Sequence, residues 1–181
     1  MPFVAHFLIG KFLLAMTAQI AETLFYKGEQ LSMCTTPLDD YFAFGGEHPK
    51  FESNCTALWR GYVGTWEIIG GRLYLVGLEG TLESGDDASL ASVFPDFPDR
   101  VFGHWYSGTI RIPQGKLLEY VHMGYGSTYE RDLFLEIEKG AVTSTRLRQN
   151  GINESEEAPE GYGIGGMTVF HRTPKNGEDD T

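Results

Sequence analysis

Apolar and polar residues alternate along this chain in short runs separated by glycine-containing pairs, which is the period of half-buried strands, not helices. Tyr62-Val-Gly-Thr-Trp-Glu-Ile-Ile69 meets Gly70-Gly71 and resumes as Arg72-Leu-Tyr-Leu-Val76. Paired glycines supply the positive φ angles of a tight two-residue turn, so the stretch predicts a hairpin. Three more hairpins are predicted around Lys27-Gly28 (Leu24 to Thr35), Gln114-Gly115 and Lys139-Gly140 (Arg131 to Arg148). Four hairpins give about eight strands. The expected fold is all-β, mainly antiparallel, a hairpin-built barrel or sandwich. One or two short helices are expected in the connecting loops, at Asp39 to Phe44 and at Ala88 to Phe94, the latter followed by Pro95 and Pro98.

Gly64 to Leu73 and Gly108 to Leu117 share the pattern G-T-x-x-I-x-x-G-[RK]-L. Duplication and shared hairpin chemistry explain so short a match equally well. With Gln114-Gly115 as a turn, alternation sorts the second hairpin into two faces. Tyr106, Ile110, Ile112, Leu117, Val121 and Met123 form the core face, with Trp66, Ile68 and Leu73 as counterparts. Trp105, Ser107, Thr109, Arg111, Tyr120 and His122 form the other, either solvated surface or a ligand platform. Glu119 falls on the core side, where a carboxylate must be paired, hydrogen-bonded or protonated. Either the strand end is open there, or Glu119 sits in a pocket beside His104 or Tyr106 as an acid-base candidate. His104 and His122 point to opposite faces, and no H-x-x-x-H or H-E-x-x-H occurs, so no metal site is expected.

The densest polar cluster runs from His122 to Asp132, HMGYGSTYERD. Backbone amides around Gly124 and Gly126, with Ser127, Thr128, Tyr129 and Arg131, suit an anion or a small polar ligand. Together with Trp105, Arg111, Tyr120, His122, Tyr125 and Glu130 they make up the candidate ligand site. An ordinary hairpin connection is the competing reading. The loop is not a P-loop, because the lysine and its spacing are missing and a strand follows it. No serine, cysteine or lysine has an adjacent base at a fixed spacing, so neither a catalytic residue nor a cofactor is assigned. Tyr62 to Ile68 resembles the G-x-W strand motif of lipocalins, but that motif precedes a longer loop and here a two-residue turn follows at once. No family is assigned.

A chain of 181 residues fits one domain, large enough to hold a core without a metal or disulfide framework. Its 23 glycines and its 12 Phe, 9 Tyr and 3 Trp favour strands and turns. Cys34 and Cys55 lack a C-x-x-C spacing and read as reduced thiols. The 25 acidic against 14 basic residues give a net charge of −11, which repels phosphate backbones and anionic lipid surfaces. Direct nucleic-acid binding is not expected. The predicted organisation is an apolar extension at 1–15, a β-rich domain at 16–150 and an acidic, Gly-rich tail at 151–181 in which Met167 to Phe170 adds a strand. His6 and Lys11 interrupt the apolar extension, which is too short to span a bilayer; it either packs on the body or is dispensable, and a cytoplasmic location is expected.

Two functions are weighed. The leading one is a non-enzymatic acidic module that binds a protein with a basic surface, such as an immunity or inhibitor protein. The other is a small-molecule-binding barrel or an enzyme with its site around the Gly124 to Asp132 loop. An internal cavity would favour the second, and a filled core with an exposed aromatic and acidic patch the first.

Overall fold

The computed structural model describes residues 17–53 and 55–162. The extension at 1–15 and the strand expected at Met167 to Phe170 lie outside the described residues. Three of the expected hairpins form. Strands β1 (Glu22–Tyr26) and β2 (Glu29–Met33) turn at Lys27 and Gly28, with φ of 53° and 83°. Strands β3 (Tyr62–Ile69) and β4 (Arg72–Gly80) turn at Gly70 and Gly71, at 57° and 74°. Strands β7 (Thr128–Glu138) and β8 (Ala141–Gln149) turn at Lys139 and Gly140, at 47° and 78°. Positive φ at both central residues is the geometry whose twist matches that of the flanking strands.

The hairpin expected at Gln114-Gly115 does not form. Strand β6 (Gly108–Glu119) runs through these residues and pairs along its length with β7. Gln114 lies opposite Arg131 and Leu117 opposite Tyr129, so Gly115 and Lys116 form a bulge, with Gly115 at φ 77°. A glycine at positive φ serves a tight turn and a bulge equally well, and only the partner strand decides between them. Pro113 beside it is the local sign of a bulge, since proline inside a sheet is confined to edges and irregularities. The chain reverses instead between β6 and β7, through residues 120–127.

The sheet order is β2-β1-β3-β4-β8-β7-β6, with β5 (Val101–Phe102) added to β4. Only β1 and β3 run parallel. The sheet is not closed. Strands β4 and β8 meet at a single pair, Arg72 with Ala141. Where β2 approaches β6, the Cys34 N–H donates to the Arg111 carbonyl at 2.8 Å and the Arg111 N–H donates to Thr35 Oγ1 at 3.1 Å. The sheet thus folds onto itself around one core, in which Leu24, Trp66, Leu73 and Leu75 pack with Ile110, Ile112 and Leu135, all fully buried. Helix α1 (Pro37–Ala43) closes one side, where the Tyr41 ring meets Phe94 at 4.7 Å and Trp105 at 5.0 Å. The helix expected at Ala88 to Phe94 is a single 3₁₀ turn, Leu90–Ser92.

Tyr106, Ile110 and Ile112 are buried, as the alternation predicts. Past the bulge it lapses: Leu117 and Val121 are half-buried, Met123 is exposed, and Glu119 is exposed at the strand end. An interior acid-base role for Glu119 is thereby excluded. Neither cysteine is in a disulfide; Cys34 is buried and Cys55 exposed. The described part of the tail returns along the bulge, where the Leu117 N–H donates to the Pro159 carbonyl at 2.9 Å and the Gly161 N–H to the Gly115 carbonyl at 3.3 Å.

Candidate functional site

Four of the residues expected to hold a ligand around the β6–β7 connection, Arg111, Tyr125, Ser127 and Glu130, have polar atoms engaged within the fold itself. Arg111, on β6, donates through Nε to Asp132 Oδ1 at 2.8 Å, through Nη1 to the Tyr125 carbonyl at 2.6 Å and through Nη2 to the Ser127 carbonyl at 2.8 Å. One guanidinium therefore fastens the loop to the sheet. Ser127 is buried, and its hydroxyl accepts the Val121 N–H at 3.1 Å. Tyr125 donates its hydroxyl to the Ile20 carbonyl at 3.0 Å and accepts from Arg60 at 3.2 Å. The carboxylate of Glu130 accepts the Lys116 N–H at 3.1 Å and the Asn153 N–H at 2.9 Å, and these two bonds hold its pKa below the ordinary value.

The other candidates are scattered. Trp105 stacks on Phe94 at 5.6 Å and donates its indole N–H to the Pro37 carbonyl at 2.9 Å, within the packing under α1. Tyr129 is buried, with Tyr162 at 6.0 Å between ring centroids. Thr128 and Arg131 pair in the ladder opposite Glu119 and Gln114. Exposed His122 meets the Tyr120 ring edge-on at 4.4 Å, and the Tyr120 hydroxyl is buried without a hydrogen-bond partner among the described residues. The structure brings Arg111, Tyr125 and Ser127 together as the anchors of a loop, whereas Glu130 joins the β6 bulge at Lys116 to the tail at Asn153. Among the described residues no group of three or more His, Cys, Asp or Glu is placed to hold a metal ion.

A second polar cluster, which the alternation test did not single out, lies inside the sheet. Glu22 is 1% exposed and shares the inward face of β1 with Leu24. Its Oε2 accepts the Trp66 indole N–H at 2.5 Å, and Arg60 Nε stands 3.3 Å from Oε1 as an ion pair that is not aligned as a hydrogen bond. Gly64 makes room for the carboxylate, since a Cβ there would lie 2.5 Å from Glu22 Oε2. Arg60 also donates to the Ile20 carbonyl at 3.0 Å and lies over the Tyr62 ring, whose hydroxyl bonds to Asp39. Glu22 sits at the first inward position of β1, two residues before Leu24, and that spacing is the sequence signal for it.

Burial raises the Glu22 pKa from 4.5 to about 6, against the opposing pull of Arg60, the Trp66 bond and the Gly64 N–H. The folded state therefore holds a proton that the unfolded chain releases, and the contribution of this group is full below pH 4.5 and lost as pH rises through about 6. The difference corresponds to roughly 2 kcal/mol. Urea midpoints measured between those two values should show a fall with rising pH that disappears in Glu22→Gln. Parallel curves for the two proteins would refute the assignment.

The surface carries large exposed rings near acids. Phe44 is 77% exposed at the end of α1 and Phe97 is 57% exposed beyond the 3₁₀ turn. They follow Tyr41 and Phe94, whose rings touch, by three residues each. Glu47, Asp96 and Asp99 in the same two segments are exposed and make no ion pair among the described residues.

The fold and these clusters define an open, eight-stranded, mainly antiparallel all-β domain in which no described helix is long and apolar enough to cross a membrane. Compared with protein-family models, with curated proteins and with solved structures, the chain matches none.

Proposed function

We propose that this chain is a non-enzymatic binding module that recognises a protein with a basic surface, as an immunity or inhibitor protein does. The observation that carries the reading is the pair of exposed rings, Phe44 and Phe97, on segments that touch through Tyr41 and Phe94 and that also carry Glu47, Asp96 and Asp99, which make no ion pair among the described residues. Aromatic anchors within a charged rim are the usual anatomy of a protein interface. The net charge of −11 favours a basic partner. The free thiols of Cys34 and Cys55 suit a reducing compartment, in line with a cytoplasmic location. The rival reading, a small-molecule site around Gly124 to Asp132, loses support because Arg111 spends its polar atoms on Asp132 and the loop carbonyls, and Glu130 spends its carboxylate on the Lys116 and Asn153 amides.

The test is a comparison of proteins captured by the parent chain and by a Phe44→Ser, Phe97→Ser double variant. Both rings are largely in solvent, so folding should change by less than about 1 kcal/mol. The expected result is a set of basic proteins retained by the parent and lost by the variant. Retention of the same proteins by both, or recovery of a small metabolite alone, would overturn the reading.

A further inference from the structure

Strand β8 pairs with β7 along its length, yet on its other side it pairs with β4 only at Ala141, with the Val142 N–H donating to the Gly71 carbonyl at 2.8 Å. Every residue from Thr143 to Gln149 is exposed. The Asn150 N–H points at the Glu130 carbonyl, 2.8 Å away. Antiparallel alternation therefore turns the N–H and C=O groups of Thr145, Leu147 and Gln149 away from β7. Among the described residues these groups have no backbone partner.

The two faces of this edge differ in chemistry. On one face, the Arg146 and Arg148 guanidinium groups lie over the Phe134 ring at 4.3 and 5.1 Å. On the other, Leu147 is 52% exposed. Phe134 belongs to β7, directly opposite Arg146, so both arginines lean back over the sheet and, among the described residues, leave the backbone edge uncovered. A charge that guards an edge against pairing works by obstructing it. Arg148 bonds Asp132 at 2.6 Å, whereas Arg146 has no carboxylate partner among the described residues. The edge is thus locally basic on an acidic protein.

We infer that β8 accepts an extended acidic segment of another protein as an added strand. Main-chain bonds to Thr145, Leu147 and Gln149 would supply affinity, and alternate side chains would supply selectivity. Acidic residues two apart meet Arg146 and Arg148, and the residue between them faces Leu147. A second copy of this chain is disfavoured as the occupant, because antiparallel self-pairing centred on Leu147 sets arginine against arginine. The inference rests on β8 alone and stands apart from the reading of Phe44 and Phe97.

The probe is a labelled peptide, acetyl-Thr-Glu-Val-Glu-Val-Thr-amide, titrated against the full chain by fluorescence anisotropy at about 50 mM salt, where charge pairing is weakly screened. Controls carry lysine in place of glutamate, or N-methyl groups on alternate backbone nitrogens. The glutamate peptide should bind at least about tenfold more tightly than the lysine peptide, since opposite charges replace like ones. N-methylation should abolish binding. Arg146→Gln should weaken it about two- to fivefold, the range of an exposed ion pair. Amide exchange at Thr145, Leu147 and Gln149 should slow when the peptide is bound. Equal affinity for the glutamate and lysine peptides, or unchanged exchange at those amides, would overturn the inference. So would a free chain that sediments as a dimer with these amides already protected.

Discussion

Asp132→Ala should lower the unfolding free energy by about 3–5 kcal/mol, the cost of removing one partner from a buried ion pair. Asp132 is fully buried, and its carboxylate receives Arg111 Nε at 2.8 Å, Arg148 Nη2 at 2.6 Å and Asn150 Nδ2 at 2.8 Å. The alanine variant leaves the mostly buried Arg111 guanidinium without its anion. The same guanidinium holds the Tyr125 and Ser127 carbonyls, so the loss should spread to residues 120–127. Burial pushes the Asp132 pKa up, but hydrogen bonds from Asn150, Arg148 and Arg111 outweigh it and hold the group below its ordinary value of 3.8. Its stabilisation is accordingly present above that value and lost as pH falls through the lower, folded-state value. Urea denaturation at pH 7 measures the loss. A change under about 1 kcal/mol would mean that the cluster is surface decoration, since exposed pairs contribute no more than that.

Trp66→Ala should cost a further large amount, about 3–5 kcal/mol by the truncation of a buried tryptophan. The ring has no exposure and packs near Trp105 at 6.4 Å. Its indole N–H is also the hydrogen bond that favours the charged form of Glu22. Trp66→Phe separates the two contributions, because it keeps most of the packing and removes the donor. The phenylalanine variant should be the milder of the two, and its Glu22 should titrate at higher pH than in the parent. Equal losses in both variants would place the whole effect in the hydrogen bond and contradict the packing account.

Three hairpins were legible because each has a local cause, two consecutive residues able to adopt positive φ between β-prone runs. The fourth was misread because Gly115 satisfies a bulge as well as a turn, and the choice is made by β7, which begins at Thr128. The misreading spread to Glu119, placed inside by a parity that the bulge interrupts. Alternation on β1, counted from Leu24, points to Glu22 without such interference, and there the carboxylate is buried. Most of the candidate ligand residues share one segment, but the polar atoms of Arg111, Tyr125 and Glu130 are engaged by Asp132, Ile20, Arg60, Lys116, Asn153 and the loop carbonyls. Such long-range partners leave no mark in a local pattern. Charge was legible, whereas the exposure of Phe44 and Phe97 depends on how α1 packs on Phe94 and Trp105.

The most direct test of the binding account is the association rate of this chain with a partner that the Phe44→Ser, Phe97→Ser variant fails to retain, measured by stopped flow across ionic strength. Acidic recognition of a basic surface predicts a rate that falls by about tenfold or more between low and high salt, with a smaller change in dissociation. An association rate that does not respond to salt would contradict it.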